Sequence, residues 1–153
     1  MHPSLSTLLT AMTPIGELRA ALPIALINYK MNLLPAFTLS IIGNIIPVFL
    51  LLLFWRYFVK FTMQHIPICN KFFNWLFERT RKKFAGKYEK WGKLALIIFV
   101  AIPLPITGAW TGSLAAWLFD FKYWESVILI FIGLIISGLI VSSITLGGLN
   151  IFT

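Results

Sequence analysis

The sequence predicts an all-α integral membrane protein: an inverted repeat of two re-entrant hairpins, each followed by a transmembrane helix, with a cytoplasmic amphipathic helix between the repeats. Three observations predict it. Residues 31–55, 94–119 and 126–153 contain no Asp, Glu, Lys or Arg, and each meets the requirement of roughly 20 mostly apolar residues for a spanning helix. Two apolar segments, 4–28 and 94–119, are broken at their centres by proline and glycine. Ten of the thirteen Lys/Arg residues fall between Arg56 and Lys93, a bias that the positive-inside rule explains and that places residues 56–93 in the cytoplasm.

With 59% hydrophobic and 12% charged residues in 153, the chain forms one membrane domain and could not hide its apolar surface in water. The net charge of +8 is accounted for by membrane orientation, so nucleic acid is not an expected partner. Cys69 is the single cysteine, and His2 and His65 are isolated. No internal disulfide or metal site is expected, and no cofactor. The start, MHPSLSTLL, lacks a basic signal-peptide region, so the first apolar segment is expected to be retained.

In segment 4–28, Pro14, Gly16 and Pro23 argue against one straight helix. Glu17 and Arg19 sit near its middle, where charges are costly and persist when they line a cavity or pair. Two short arms joined near Pro14–Glu17 make a re-entrant hairpin, which is tolerated where protein or water covers its tip. Segment 32–55 reads as a full span, with Pro47 as a kink and Trp55, Arg56 and Tyr57 as an interfacial anchor. Over 66–92, Cys69, Phe73, Leu76, Thr80, Phe84, Tyr88 and Trp91 recur at helical spacing, mostly apolar on one face. Lys71, Glu78, Lys82, Lys83 and Lys90 fall on other faces, so an amphipathic helix on an anionic membrane surface is expected. In segment 94–119 the centre, Pro103 to Gly112, is poor helix material. The arm 94–102 would reach about 14 Å, half of a ~30 Å hydrocarbon core. A second re-entrant hairpin follows, and 126–147 is the last span, with Trp124 at its start. Asp120, Lys122 and Glu125 read as a solvated connection.

The halves echo each other. Pro14-Ile15-Gly16 returns as Pro105-Ile106-Thr107-Gly108, and Ile42-Gly43-Asn44-Ile45-Ile46 returns as Ile132-Gly133-Leu134-Ile135-Ile136. Two matches at nearly one offset suggest the inverted repeat of many transporters, with the working site where the broken segments meet. The alternative is four ordinary spans, which would put both termini in the cytoplasm instead of outside.

Two motifs carry a resemblance. Gly16-Glu17-Leu18-Arg19-Ala20-Ala21-Leu22-Pro23-Ile24-Ala25 and Pro103-Leu104-Pro105-Ile106-Thr107-Gly108-Ala109-Trp110-Thr111-Gly112 resemble those of small multidrug export proteins, in order and spacing from about residue 4 to 147. That family looks like a distant relative of the DedA, or VTT-domain, membrane proteins. The resemblance implies the two-hairpin repeat and a role in moving lipids, such as a polyprenyl phosphate or a phospholipid, between leaflets of a bacterial or archaeal cytoplasmic (inner) membrane. DedA-type proteins usually carry arginines in the second hairpin. Here Ile97–Gly112 has none, and Arg19 is the only cation at that depth.

The candidate substrate- or ion-binding residues are therefore Glu17, Arg19, Pro23, Thr107, Trp110, Thr111 and Asn44. Arg19 could hold an anionic head group, and Glu17 a proton or a cation. The bland reading of the pair is a structural ion pair closing the hairpin tip. Thr107, Trp110 and Thr111 could line the same cavity, or the hydroxyls could satisfy backbone groups freed by Pro103 and Pro105. Asn44 could reach the cavity or bond to another helix. The leading expectation is a lipid or amphipathic-anion transporter with membrane lipids as partners, with a proton or another ion as the coupling species. The alternative is a small multidrug exporter of cationic compounds, for which Glu17 is the one candidate carboxylate and adjacent Arg19 is repulsive. A bilayer-shaping scaffold is the third class. No constellation for enzyme chemistry is visible, and so few spans imply a homodimer.

Overall fold

A computed structural model describes residues 2–83, 88–104 and 107–152. Phe84, Pro105 and Ile106 of the patterns above lie outside the described residues, as do the side chains of 80–83 and 88–90. The described residues form seven helices: α1 (Pro3–Met12), α2 (Glu17–Ile27), α3 (Leu33–His65), α4 (Pro67–Lys83), α5 (Tyr88–Ala101), α6 (Ala109–Leu118) and α7 (Tyr123–Phe152).

Proline sets the main breaks. Pro3 opens α1, where its missing N–H costs nothing. Thr13, held extended before Pro14, ends α1. Ile66, extended before Pro67, ends α3. The α6–α7 turn closes differently: the Phe121 and Asp120 amides donate to the Ala116 and Trp117 carbonyls, with Asp120 at a φ of 57°. That is a Schellman-type stop with an aspartate at the position glycine usually takes.

One segment is longer than the sequence reading. The span read as 32–55 continues without interruption to His65, because nothing between Trp55 and Pro67 breaks a helix. Arg56 and Lys60 thus ride on the same helix as the apolar run. Of the stretch read as a helix over 66–92, α4 covers the described residues to Lys83 and α5, the first arm of the second hairpin, covers Tyr88–Trp91, with 84–87 outside the described residues. That arm has 14 residues, longer than the nine of 94–102.

Helices α3 and α7 are long and apolar enough to cross a membrane. They run antiparallel: Phe37 packs on Gly138, while Tyr123 Oη donates to the Phe49 carbonyl at 3.2 Å. Large apolar side chains face outward along both, including Leu50 (67% exposed), Leu139 (57%) and Ile144 (65%). A water-soluble monomer rarely carries such a surface. The remaining apolar helices are short. With 10 or 11 residues each, α1, α2 and α6 reach about 15–17 Å, well under a ~30 Å core.

The two halves use the same pairings. Helix α1 packs on α3 as α5 packs on α7, α2 on α1 as α6 on α5, and α2 reaches α7 as α6 reaches α3. The echoed glycines do equivalent work. A Cβ at Gly43 would lie 2.6 Å from the Leu8 carbonyl oxygen and 2.8 Å from Ala11 Cβ, and one at Gly133 would lie 2.7 Å from Val100 Cβ. Each glycine admits the first arm of the hairpin before it. Gly43→Leu is therefore expected to push α1 off α3 and to cost about 1–3 kcal/mol, the range for overpacking. Thermal unfolding in detergent would read this as a lower midpoint, with Gly147→Leu, in open space, unchanged.

Two apolar cores result. One joins Val48 and Leu52 of α3 to Leu96, Val100, Ala109, Ile130 and Leu134. The other joins Leu18, Leu22 and Ala25 of α2 to Ala36, Ile41 and Val141. Helix α4 docks on the bundle through Phe73 and Phe77, whose rings meet Trp117 edge-on at 5.7 and 5.1 Å. Phe73, of the face expected on the membrane, thus packs on α6, while Ile68, Phe72 and Trp75 are exposed.

Candidate functional site

The tips of the two hairpins meet. Glu17 opens α2 at a φ of 45°, a left-handed conformation that a non-glycine residue adopts at a cost and that clusters at working sites. Its carboxylate lies at the start of α6, where Oε1 accepts the Trp110 backbone N–H at 3.3 Å. The N-terminal end of a helix favours such an anion through its free amides and dipole. Glu17 is 7% exposed. Its charge is answered by the amide and by Arg19, whose Nη2 is 3.7 Å from Oε2.

Arg19 reaches from the first hairpin to the second. Its Nη2 donates to Thr107 Oγ1 at 3.3 Å. The same hydroxyl accepts the Leu104 amide at 3.2 Å and donates to the Ile102 carbonyl at 2.6 Å. Thr107 therefore bonds backbone on either side of Pro103 and meets Arg19.

Gly108 makes this approach possible. A Cβ there would fall on the Glu17 carboxylate and lie 2.7 Å from Arg19 Nη2. Only a residue without a side chain lets the two tips close.

A cavity of about 590 Å³ opens at this junction, lined by Pro14, Ile15, Glu17, Arg19, Trp55, Thr107, Trp110, Thr111 and Leu114. Its wall is largely apolar, with Arg19 and Glu17 as the charges. Trp110 Nε1 is buried with no hydrogen-bond partner in the protein, an arrangement usually costly to keep. Trp55 Nε1 donates to Ser113 Oγ at 3.3 Å. This pins Trp55 to α6, where the sequence reading made it an interfacial anchor.

Five of the seven candidate residues, Glu17, Arg19, Thr107, Trp110 and Thr111, line the cavity. Pro23 does not. It sits within α2, and having no N–H it leaves the Arg19 carbonyl without its helical donor. Asn44 does not line it either. It is fully buried on α3 with neither side-chain atom bonded. Sequence reasoning missed Pro14, Ile15, Trp55 and Leu114. Of these only Pro14 carried a local signal, as the break at the tip. Glu125 is no free connector: its Oε1 lies 2.5 Å from Lys93 Nζ, tying α7 to α5.

Residues 17–140 match the family described as "Putative small multi-drug export protein". The chain belongs to this family. The match runs from the Glu17 at the first hairpin tip through both motifs and most of α7. No curated protein and no solved structure matches the chain. Family membership and the two long outward-facing apolar helices together make this small multi-drug export family member a membrane protein.

Proposed function

We propose that the protein is a membrane transporter that moves an amphipathic anion, such as a polyprenyl phosphate or a phospholipid, between leaflets. The single observation that carries this is the cationic side chain in the wall of the cavity. Arg19 in the cavity wall offers a charged donor to acceptor oxygens, beside an apolar wall suited to a chain. Charge-assisted donation to phosphate or carboxylate is strong in such a setting. The short arms α1, α2 and α6 support the re-entrant reading, and the matched pairings of the two halves support an inverted repeat. On that reading the cavity lies at mid-membrane and transport is a rocking of one repeat against the other. The basic segment 56–93 is on the cytoplasmic side of an inner membrane, the working form is a homodimer, and no covalent chemistry is involved. A distant kinship with DedA-type proteins fits the same reading.

A second reading, export of cationic drugs, is favoured by the family's description. It requires Glu17 to release its present partners and accept a cation beside Arg19, which opposes it. The test is leaflet exchange of a fluorescent polyprenyl phosphate in proteoliposomes. The proposal expects exchange well above that of empty liposomes, and exchange at the empty-liposome rate would remove it.

A further inference from the structure

The boundary between the two apolar cores is polar. On α3 it falls between Ile41 of one core and Val48 of the other, and on α7 between Val141 and Leu134. Asn44 and Ser137 occupy those intervals, 0% and 2% exposed. Glu17 lies on the same boundary, since Leu18 belongs to one core and Ala109, at the start of α6, to the other.

Asn44 is the unexplained member. Its Oδ1 and Nδ2 are buried without a hydrogen-bond partner in the protein, and so is Oγ of Ser40, one turn earlier on the same helix. Side chains four apart share a helix face. A third oxygen is released beside them. Pro47, inside α3, has no N–H, so the Gly43 carbonyl lacks its helical donor. Hydroxyl, amide oxygen and backbone carbonyl thus gather in a few residues of a membrane-crossing helix, away from the cavity wall.

We propose that Ser40, Asn44 and the Gly43 carbonyl form a site for a monovalent alkali cation, which serves as the coupling ion. Neutral oxygens are the ligand type for a hard cation. Ser40 and Asn44 bring no charge, so a divalent ion would remain uncompensated in this apolar setting. The coupling half of the inference rests on the proposed anion site. The Glu17–Arg19 pair is neutral in sum, so an anion on Arg19 leaves the polar layer negative, and a cation at Asn44 restores neutrality.

The test uses the purified full chain in detergent and binding of radioactive sodium, with no transported substrate present. Wild type is expected to bind sodium saturably. Asn44→Leu, which replaces an unbonded amide with an apolar side chain of similar size, is expected to weaken binding at least about ten-fold, as loss of one charge–dipole ligand does. Ser40→Ala is expected to weaken it as well, and Gly147→Ala, whose Cβ would meet nothing, is expected to leave it unchanged. No saturable binding by wild type, with rubidium also failing to bind, overturns the cation site and assigns Asn44 to structural water. Equal binding by wild type and Asn44→Leu also overturns it. Should Asn44→Leu not elute as a single species, Ser40→Ala decides. Because the readout is binding alone, a protein that binds sodium but moves no lipid refutes the transport reading and leaves the site standing.

Discussion

Arg19→Ala is expected to bring leaflet exchange of an anionic lipid down to the rate of protein-free liposomes. Arg19 is the cation of the cavity wall, 3.3 Å from Thr107 and 3.7 Å from Glu17. A hydrogen bond to a charged group contributes about 1.5–3 kcal/mol, which is about 10- to 100-fold in affinity. The loss should exceed that, because the change also leaves Glu17 without its counter-charge and fills the site with net negative charge. Arg19→Lys should restore only part of the rate. Lysine keeps the charge but lacks the planar fork that can hold Glu17, Thr107 and a head group together. Exchange rates for the three proteins, reconstituted at equal density, check the order wild type, then Lys, then Ala.

Gly108→Ala is expected to be nearly as damaging for a steric reason. The new methyl group would occupy the position of the Glu17 carboxylate and press on Arg19. Glu17 sits on strained backbone at the tip and has little freedom to retreat. Either the tips separate, opening the cavity, or Glu17 leaves the Trp110 amide. Overpacking of this kind costs about 1–3 kcal/mol, so the melting point in detergent should fall along with transport. Gly147→Ala, whose Cβ would meet nothing, should change neither. A Gly108→Ala protein of wild-type activity would show that the junction is not closed during function.

The sequence made the hairpin breaks legible because proline and glycine act locally. Pro14 and Gly16 end one arm whatever surrounds them, and α1 and α2 begin and end about where those residues require. Glu17 and Arg19 were legible because a charge inside an apolar segment needs a reason. The lengths of α3 and α5 were less so. Hydropathy marks where the apolar run ends, at Trp55, but a helix ends where its backbone is interrupted, at Ile66 before Pro67. Trp55 carried the pattern of an interfacial anchor, and only the position of α6 turns its indole to Ser113. The burial of Asn44 depends on how α1, α2 and α7 pack around α3, which no local pattern encodes. The apolar spacing of α4 was visible, but not the contact of Phe73 and Phe77 with Trp117.

The central claim is that the cavity accepts an anionic head group through Arg19. It is tested most directly with two fluorescent amphipaths that share one tail, one carrying a phosphate and the other a quaternary ammonium, in proteoliposomes of wild type, Arg19→Ala and Glu17→Gln. The account predicts that wild type moves the phosphate compound and not the ammonium compound, and that Arg19→Ala moves neither. Movement of the ammonium compound by wild type, kept in Arg19→Ala and lost in Glu17→Gln, would contradict it and make Glu17 the carboxylate of a cation exporter.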